Sequence, residues 1–173
     1  MDFWKVLLIP FACLYGFVVR IRHVLFNANI LKSRSFSIPV IGVGNLSLGG
    51  TGKTPVVEYL IRLLSDESKL AVLSRGYGRN TKGFLIANQY SGHKDIGDES
   101  LQYHNKFTQN VKVAVCEDRR EGITNLMQDD EKLDIILLDD SFQHRYVKPG
   151  LSILLTDFHN LYMEDYLLPA GTL

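Results

Sequence analysis

The run Ser47-Leu48-Gly49-Gly50-Thr51-Gly52-Lys53-Thr54 constrains this chain more than any other feature. It follows a short apolar, β-branched stretch, residues 38–44 (IPVIGVG), and opens a helical pattern at residues 54–64 (TPVVEYLIRLL). Strand, glycine-rich turn and helix in that order are the context of a phosphate-binding loop. The pattern GxxxxGK[ST] is met except at its first position, where Ser47 stands for Gly. Small residues let backbone N–H groups turn inward around a polyphosphate, and a helix N-terminus adds partial positive charge. On that reading Lys53 neutralises the β- and γ-phosphates and the Thr54 hydroxyl ligates Mg²⁺. The bland alternative is a strand–helix turn with an incidental lysine, and the context weighs against it.

From residue 38 onward strand and helix patterns alternate. Val57, Leu60, Ile61 and Leu64 share one helical face, and Pro55 falls in the first turn, where its missing N–H costs nothing. Further strands are predicted at 70–74 (LAVLS), 111–115 (VKVAV), 134–138 (DIILL) and 151–155 (LSILL), with a short hairpin strand at 84–87. Helices are predicted at 99–107 and 118–127. Near-continuous apolar strands separated by helices imply an α/β, P-loop NTPase-like domain over residues 37–173. Its sheet is mostly parallel, with helices on both faces. The composition, 46% hydrophobic and 22% charged, excludes a disordered chain. Cys13 and Cys116 offer neither a disulfide framework nor a zinc site. Nineteen basic and nineteen acidic residues leave no general basic field for nucleic acid, so no nucleic-acid partner is expected. No obligate protein partner is inferred either.

That neutrality hides a split. Lys5, Arg20, Arg22, Lys32 and Arg34 face Asp2 alone within residues 1–40, so the remainder is acidic by the same margin. The basic part is also the most apolar, because residues 6–19 (VLLIPFACLYGFVV) carry no charge. As a helix they reach about 21 Å, short of a ~30 Å hydrocarbon core, and Pro10 and Gly16 are expected to kink or loosen it. A secretory signal fits poorly, since no small-x-small cleavage site follows. Three readings remain for residues 1–36. One is an interfacial anchor, with Trp4 and Tyr15 near headgroups and Arg20 and Arg22 on anionic lipid. Another is a helix buried against protein, and the third a true span stretched by snorkelling Lys5 and Arg20.

Three clusters lie downstream. Residues 134–140 (DIILLDD) deliver Asp139 and Asp140 at a strand end, the kind of carboxylate pair that Mg²⁺ uses alongside water and phosphate oxygens. A solvated strand end is the alternative. Residues 74–79 (SRGYGR) offer Arg75 and Tyr77 on a loop, which reads equally as an ordinary strand turn. In Gly97-Asp98-Glu99, Asp98 is either a helix N-cap or a carboxylate that orients an attacking hydroxyl.

Taken in order, LYG (14–16), VGN (43–45), GGTGKTP (49–55), SRGYG (74–78), GDE (97–99), DD-x-FQH (139–144) and LPAG (168–171) resemble the tetraacyldisaccharide 4′-kinases, the lipid A 4′-kinases of Gram-negative bacteria. The resemblance implies an enzyme that uses ATP and Mg²⁺ to phosphorylate the 4′-hydroxyl of a tetraacylated glucosamine disaccharide 1-phosphate. It implies work at the cytoplasmic face of the inner membrane, with the N-terminal helix docked there. By resemblance, ATP phosphates fall on Ser47, Leu48, Gly49, Gly50, Thr51, Gly52, Lys53 and Thr54, and Mg²⁺ on Thr54, Asp139 and Asp140. Asp98 activates the sugar hydroxyl, with Lys53 as the second catalytic residue. Arg75 and Tyr77 lie near the acceptor headgroup, and Gln143 and His144 line the nucleotide side. For His144, a purely local hydrogen bond in its loop is the competing view.

The family also carries an Arg-Glu pair and a second lobe after LPAG, including a histidine partner for the aspartate. The chain therefore reads as an N-terminal fragment with little activity alone. Ser141 stands where the family commonly has Gly. The rival function is a P-loop switch or partitioning ATPase at the membrane. Leu48 occupies the position where those proteins commonly carry Lys, and no N-K-x-D guanine-reading motif occurs.

Overall fold

The computed structural model describes residues 3–46, 51–107, 111–142, 144–158, 161 and 169, with side chains from residue 8 onward. Chain order is α1 (Phe3–Asn27), β1 (Val40–Asn45), α2 (Lys53–Leu64), β2 (Leu70–Ser74), β3 (Leu85–Ile86), α3 (His93–Ile96), α4 (Asp98–Lys106), β4 (Val111–Val115), α5 (Arg119–Asp129), β5 (Ile135–Asp139) and β6 (Leu151–Leu155). The strands form one sheet in the order β3-β4-β2-β5-β1-β6, parallel except for β3.

Alternation along each strand divides the core in two, because successive side chains leave opposite faces of a sheet. Ala71, Leu73, Ala114, Ile136 and Leu138 pack with Ile123 and Leu126 of α5 on one face. Leu70, Val72, Val113 and Leu137 pack with Val57 and Ile61 of α2 and Tyr103 of α4 on the other. Helices thus cover both faces, as the apolar strands require, while β6 is an edge strand with Leu151 and Ser152 exposed.

Three expectations need correction. The 84–87 segment does not form a hairpin: β3 pairs antiparallel with β4 across an intervening helical segment, α3 and α4. The α3 turn carries no apolar periodicity and was not expected. Helix α1 outruns the uncharged stretch 6–19: with Pro10 inside it, it spans 25 residues and continues through Arg20, Arg22 and His23. Its last turns are held from outside. Phe26 is buried with its ring 5.0 Å from Tyr146, and the Arg145 guanidinium donates to Asn27 Oδ1 at 2.9 Å while lying over the Phe26 ring.

Parallel strands put every strand–helix exit on one edge of the sheet. From β1 the chain leaves onto the face covered by α2; from β5 it leaves across the other face, where Val147 joins the core. Neighbouring strands whose connections diverge open a crevice between them, and that is where α/β sheets bind ligands. Here the crevice lies between β1 and β5.

Candidate active site at the β1–β5 crevice

Register places the groups. Val43 of β1 pairs with Asp139 of β5, so Asn45 and Asp140 emerge together beyond them. Lys53, the first residue of α2, reaches back across this gap. Its Nζ donates to Asn45 Oδ1 at 2.8 Å and to Asp140 Oδ1 at 3.0 Å. Gly52 before it has φ +81, a left-handed backbone that glycine adopts without a Cβ penalty. Asp140 has φ +53, left-handed without being glycine, and its side chain keeps substantial solvent contact.

Asp139 points inward and is buried. Its Oδ2 accepts from the Tyr103 hydroxyl at 3.1 Å, and its Oδ1 has no hydrogen-bond partner. Burial, then the charge of Glu99, pushes its carboxyl up to about 6. Burial and Asp139 together push the Tyr103 phenol well above the ordinary tyrosine range, while the Thr54 hydroxyl opposes the shift. Behind them lies the buried guanidinium of Arg119, donating to Cys116 O at 2.6 Å and to Asp139 O at 3.3 Å. Burial lowers its pKa to about 10, which leaves it charged at neutral pH.

The outer loops converge on the same edge. Gly97, φ +82, packs so closely that a Cβ there would stand 2.6 Å from the Tyr77 carbonyl oxygen, joining the SRGYG and GDE loops. Ser74 and Ser100 share a 2.6 Å hydrogen bond beneath them. Asp98 is the first residue of α4 and exposed; Gly97 occupies the cap, so the N-cap alternative for Asp98 fails. Arg75 and the strongly exposed Tyr77 project from the neighbouring loop. His144 is half-buried, and burial, then Arg119 and Arg75, lower its pKa, which keeps the imidazole neutral.

The structure therefore gathers Lys53, Thr54, Asp139, Asp140, Asp98, Arg75, Tyr77 and His144 along one sheet edge. Thr51 lies at the same loop with its Oγ1 buried and unpartnered. Ser47, Leu48, Gly49, Gly50, Gln143 and, apart from Pro169, the LPAG motif lie outside the described residues. Asn45, Glu99, Tyr103 and Arg119 were missed as site residues. Asn45 and Glu99 lie inside short motifs and were readable there, whereas Tyr103 and Arg119 follow apolar and helical patterns with no signal of their own.

A parallel sheet with a lysine at a helix N-terminus, facing carboxylates on the adjacent strand end, defines a P-loop-type α/β nucleotide-binding domain. A family model of tetraacyldisaccharide-1-P 4′-kinase (LpxK) matches residues 4–173, and the chain belongs to that family. A tetraacyldisaccharide 4′-kinase of Flavobacterium psychrophilum is 54% identical over 173 residues, covering all of this chain and 50% of the relative. One of Parabacteroides distasonis is 56% identical over 169 residues, covering 96% of this chain and 46% of the relative. The chain thus spans about half the length of the curated relatives it matches. The crystal structure of Aquifex aeolicus LpxK, described as an "apo" form in complex with ATP, superposes with a TM-score of 0.89 at 38% identity. That match covers 98% of this chain and 54% of the other.

Proposed function

We propose that this chain supplies the nucleotide-binding half of an ATP- and Mg²⁺-dependent lipid kinase. The acceptor is the 4′-hydroxyl of a tetraacylated glucosamine disaccharide 1-phosphate, in lipid A biosynthesis. The observation that carries the proposal is Lys53 held between Asn45 and Asp140 in the β1–β5 crevice. Family membership and the ATP of the Aquifex relative support it.

Residues 37–173 form the kinase domain of this reading, and residues 1–36 its membrane-associating helix and linker. Ser47 through Thr54 cradle the phosphates, and Lys53 exchanges its bond to Asp140 for the β- and γ-phosphate oxygens. Thr54, Asp139 and Asp140 fit Mg²⁺ chemically: all are hard oxygen donors, and Asp139 Oδ1 is a buried acceptor with no partner. Among the described residues no three His, Cys, Asp or Glu side chains converge to hold a metal, so phosphate and water oxygens complete the shell. When bound, Mg²⁺ supplies charge neutralisation on the transferring phosphoryl group. Asp98, exposed at the mouth, orients and deprotonates the sugar hydroxyl. Arg75 and Tyr77, one loop away, contact the acceptor headgroup, and Gln143 and His144 border the nucleotide. The acceptor stays in the bilayer, and α1 holds the site at the cytoplasmic face of the inner membrane, which shortens the search for it.

Calorimetry on the purified chain tests the nucleotide part. ATP binds in a Mg²⁺-dependent manner, and Lys53→Ala weakens that binding by at least about tenfold while lowering stability by less than about 1 kcal/mol, because the Lys53–Asp140 pair is partly exposed. Transfer of the γ-phosphoryl group to the acylated disaccharide tests the rest, and Asp98→Ala abolishes it. ATP hydrolysis indifferent to the lipid would instead indicate a switch ATPase.

A further inference from the structure

Helix α4 begins at Asp98 and carries Tyr103 five residues on, with its ring fully buried against Val57, Ile61 and Leu137. A buried phenol needs a hydrogen-bond partner, but any backbone carbonyl would serve. This one instead donates to Asp139 Oδ2 at 3.1 Å. One atom on α4 therefore meets a residue of β5 on the metal side of the crevice. The other carboxylate oxygen, Asp139 Oδ1, is buried and unpartnered. A buried acceptor left that way is destabilising, and a cation, or water bound to a cation, presented at Oδ1 offsets the cost.

Resting on the nucleotide-site reading above, we propose that Tyr103 is a positioning residue for the divalent cation. It occupies Asp139 Oδ2, so that Oδ1 is the oxygen left to face the metal or its water. Because the phenol belongs to α4, the same contact fixes Asp98 in one frame with the metal side of the site. Glu99, which with Asp140 acts on the charge of Asp139, is on this helix too.

Tyr103→Phe keeps the ring that fills the core and removes only the oxygen. Calorimetry of ATP binding to the whole chain, once with Mg²⁺ and once with a chelator, separates the roles. The expected result is metal-free affinity within about twofold of wild type and a Mg²⁺ enhancement reduced about tenfold. In an Asp139→Asn background the same substitution produces no further loss, a non-additivity that a packing role would not give. Tyr103→Leu, a second apolar replacement, is read in the same way where the phenylalanine variant melts early. An undiminished Mg²⁺ enhancement overturns the inference, as does equal weakening with and without metal. A wild-type chain with ATP binding but no Mg²⁺ enhancement, or with no ATP binding, overturns the nucleotide-site reading itself and this inference with it.

Discussion

Asp140 is the residue at which backbone strain and chemistry meet. A φ of +53 costs an L-residue about 1–2 kcal/mol, and short polar side chains such as Asp tolerate it best. In return the carboxylate is aimed at Lys53 across the crevice. Asp140→Gly relieves the strain and loses a half-exposed ion pair, so its thermal stability stays within about 1 kcal/mol of wild type. Asp140→Val keeps the unfavourable φ with a branched side chain and loses roughly 1–2 kcal/mol. Both variants lose Mg²⁺-dependent ATP binding. Melting curves beside calorimetry check the pair, and a valine variant as stable as the glycine one would show that the backbone is unstrained.

At the scale of elements, α5 shows how a helix end is set. Asp118 is the N-cap: its Oδ1 accepts from Arg120 N at 2.9 Å, and the Arg120 side chain also donates to it. That hydrogen bonding, which outweighs the opposing effect of burial, holds the carboxyl below its ordinary 3.8. A carboxyl with a lowered folded-state pKa contributes stability above its unfolded value and loses it as pH falls through the folded one. Asp118→Ala therefore costs about 1 kcal/mol at pH 7 and clearly less near pH 3, as urea melts at the two pH values should show. Helix α1 was misjudged at this scale. Its uncharged run ends at residue 19, but the Arg145 and Tyr146 contacts at its far end, from a loop more than a hundred residues away, carry the helix on to Asn27. Periodicity within a segment cannot report a clamp of that kind.

For the whole molecule, the decisive surface is α1. Phe11, Leu14, Phe17, Val18, Ile21 and Val24 are all exposed, and one stretch, Leu8–Asn27, is long and apolar enough to cross a membrane. A soluble surface rarely carries so large an apolar patch, which is compatible with association with a bilayer and equally with packing against further protein. Arg20 lies among these residues and is exposed. Leu14→Asp combined with Phe17→Asp is expected to abolish cosedimentation with anionic lipid vesicles while leaving ATP affinity unchanged. Arg20→Glu is expected to weaken binding to anionic vesicles more than to neutral ones. Retention of the double-aspartate variant on vesicles would remove α1 from membrane binding.

Much of the fold, and the positions of several candidate site residues, were legible before folding because local constraints carry them. A phosphate loop needs small residues and a lysine at one helix start, and β-branched runs bounded by turns mark buried parallel strands, so α2, β2, β4, β5 and β6 fell close to their observed bounds. Asp139, Asp140 and Asp98 were readable for the same reason, standing at strand and helix ends. The sequence by itself thus determined that strands and helices alternate and which residue types crowd the strand ends. Only the tertiary structure decided that β5 lies beside β1, that the connections diverge there, and that Tyr103 reaches Asp139. Strand order and buried hydrogen bonds are long-range choices, made where two cores close on opposite faces of one sheet, and no short window of residues contains both partners.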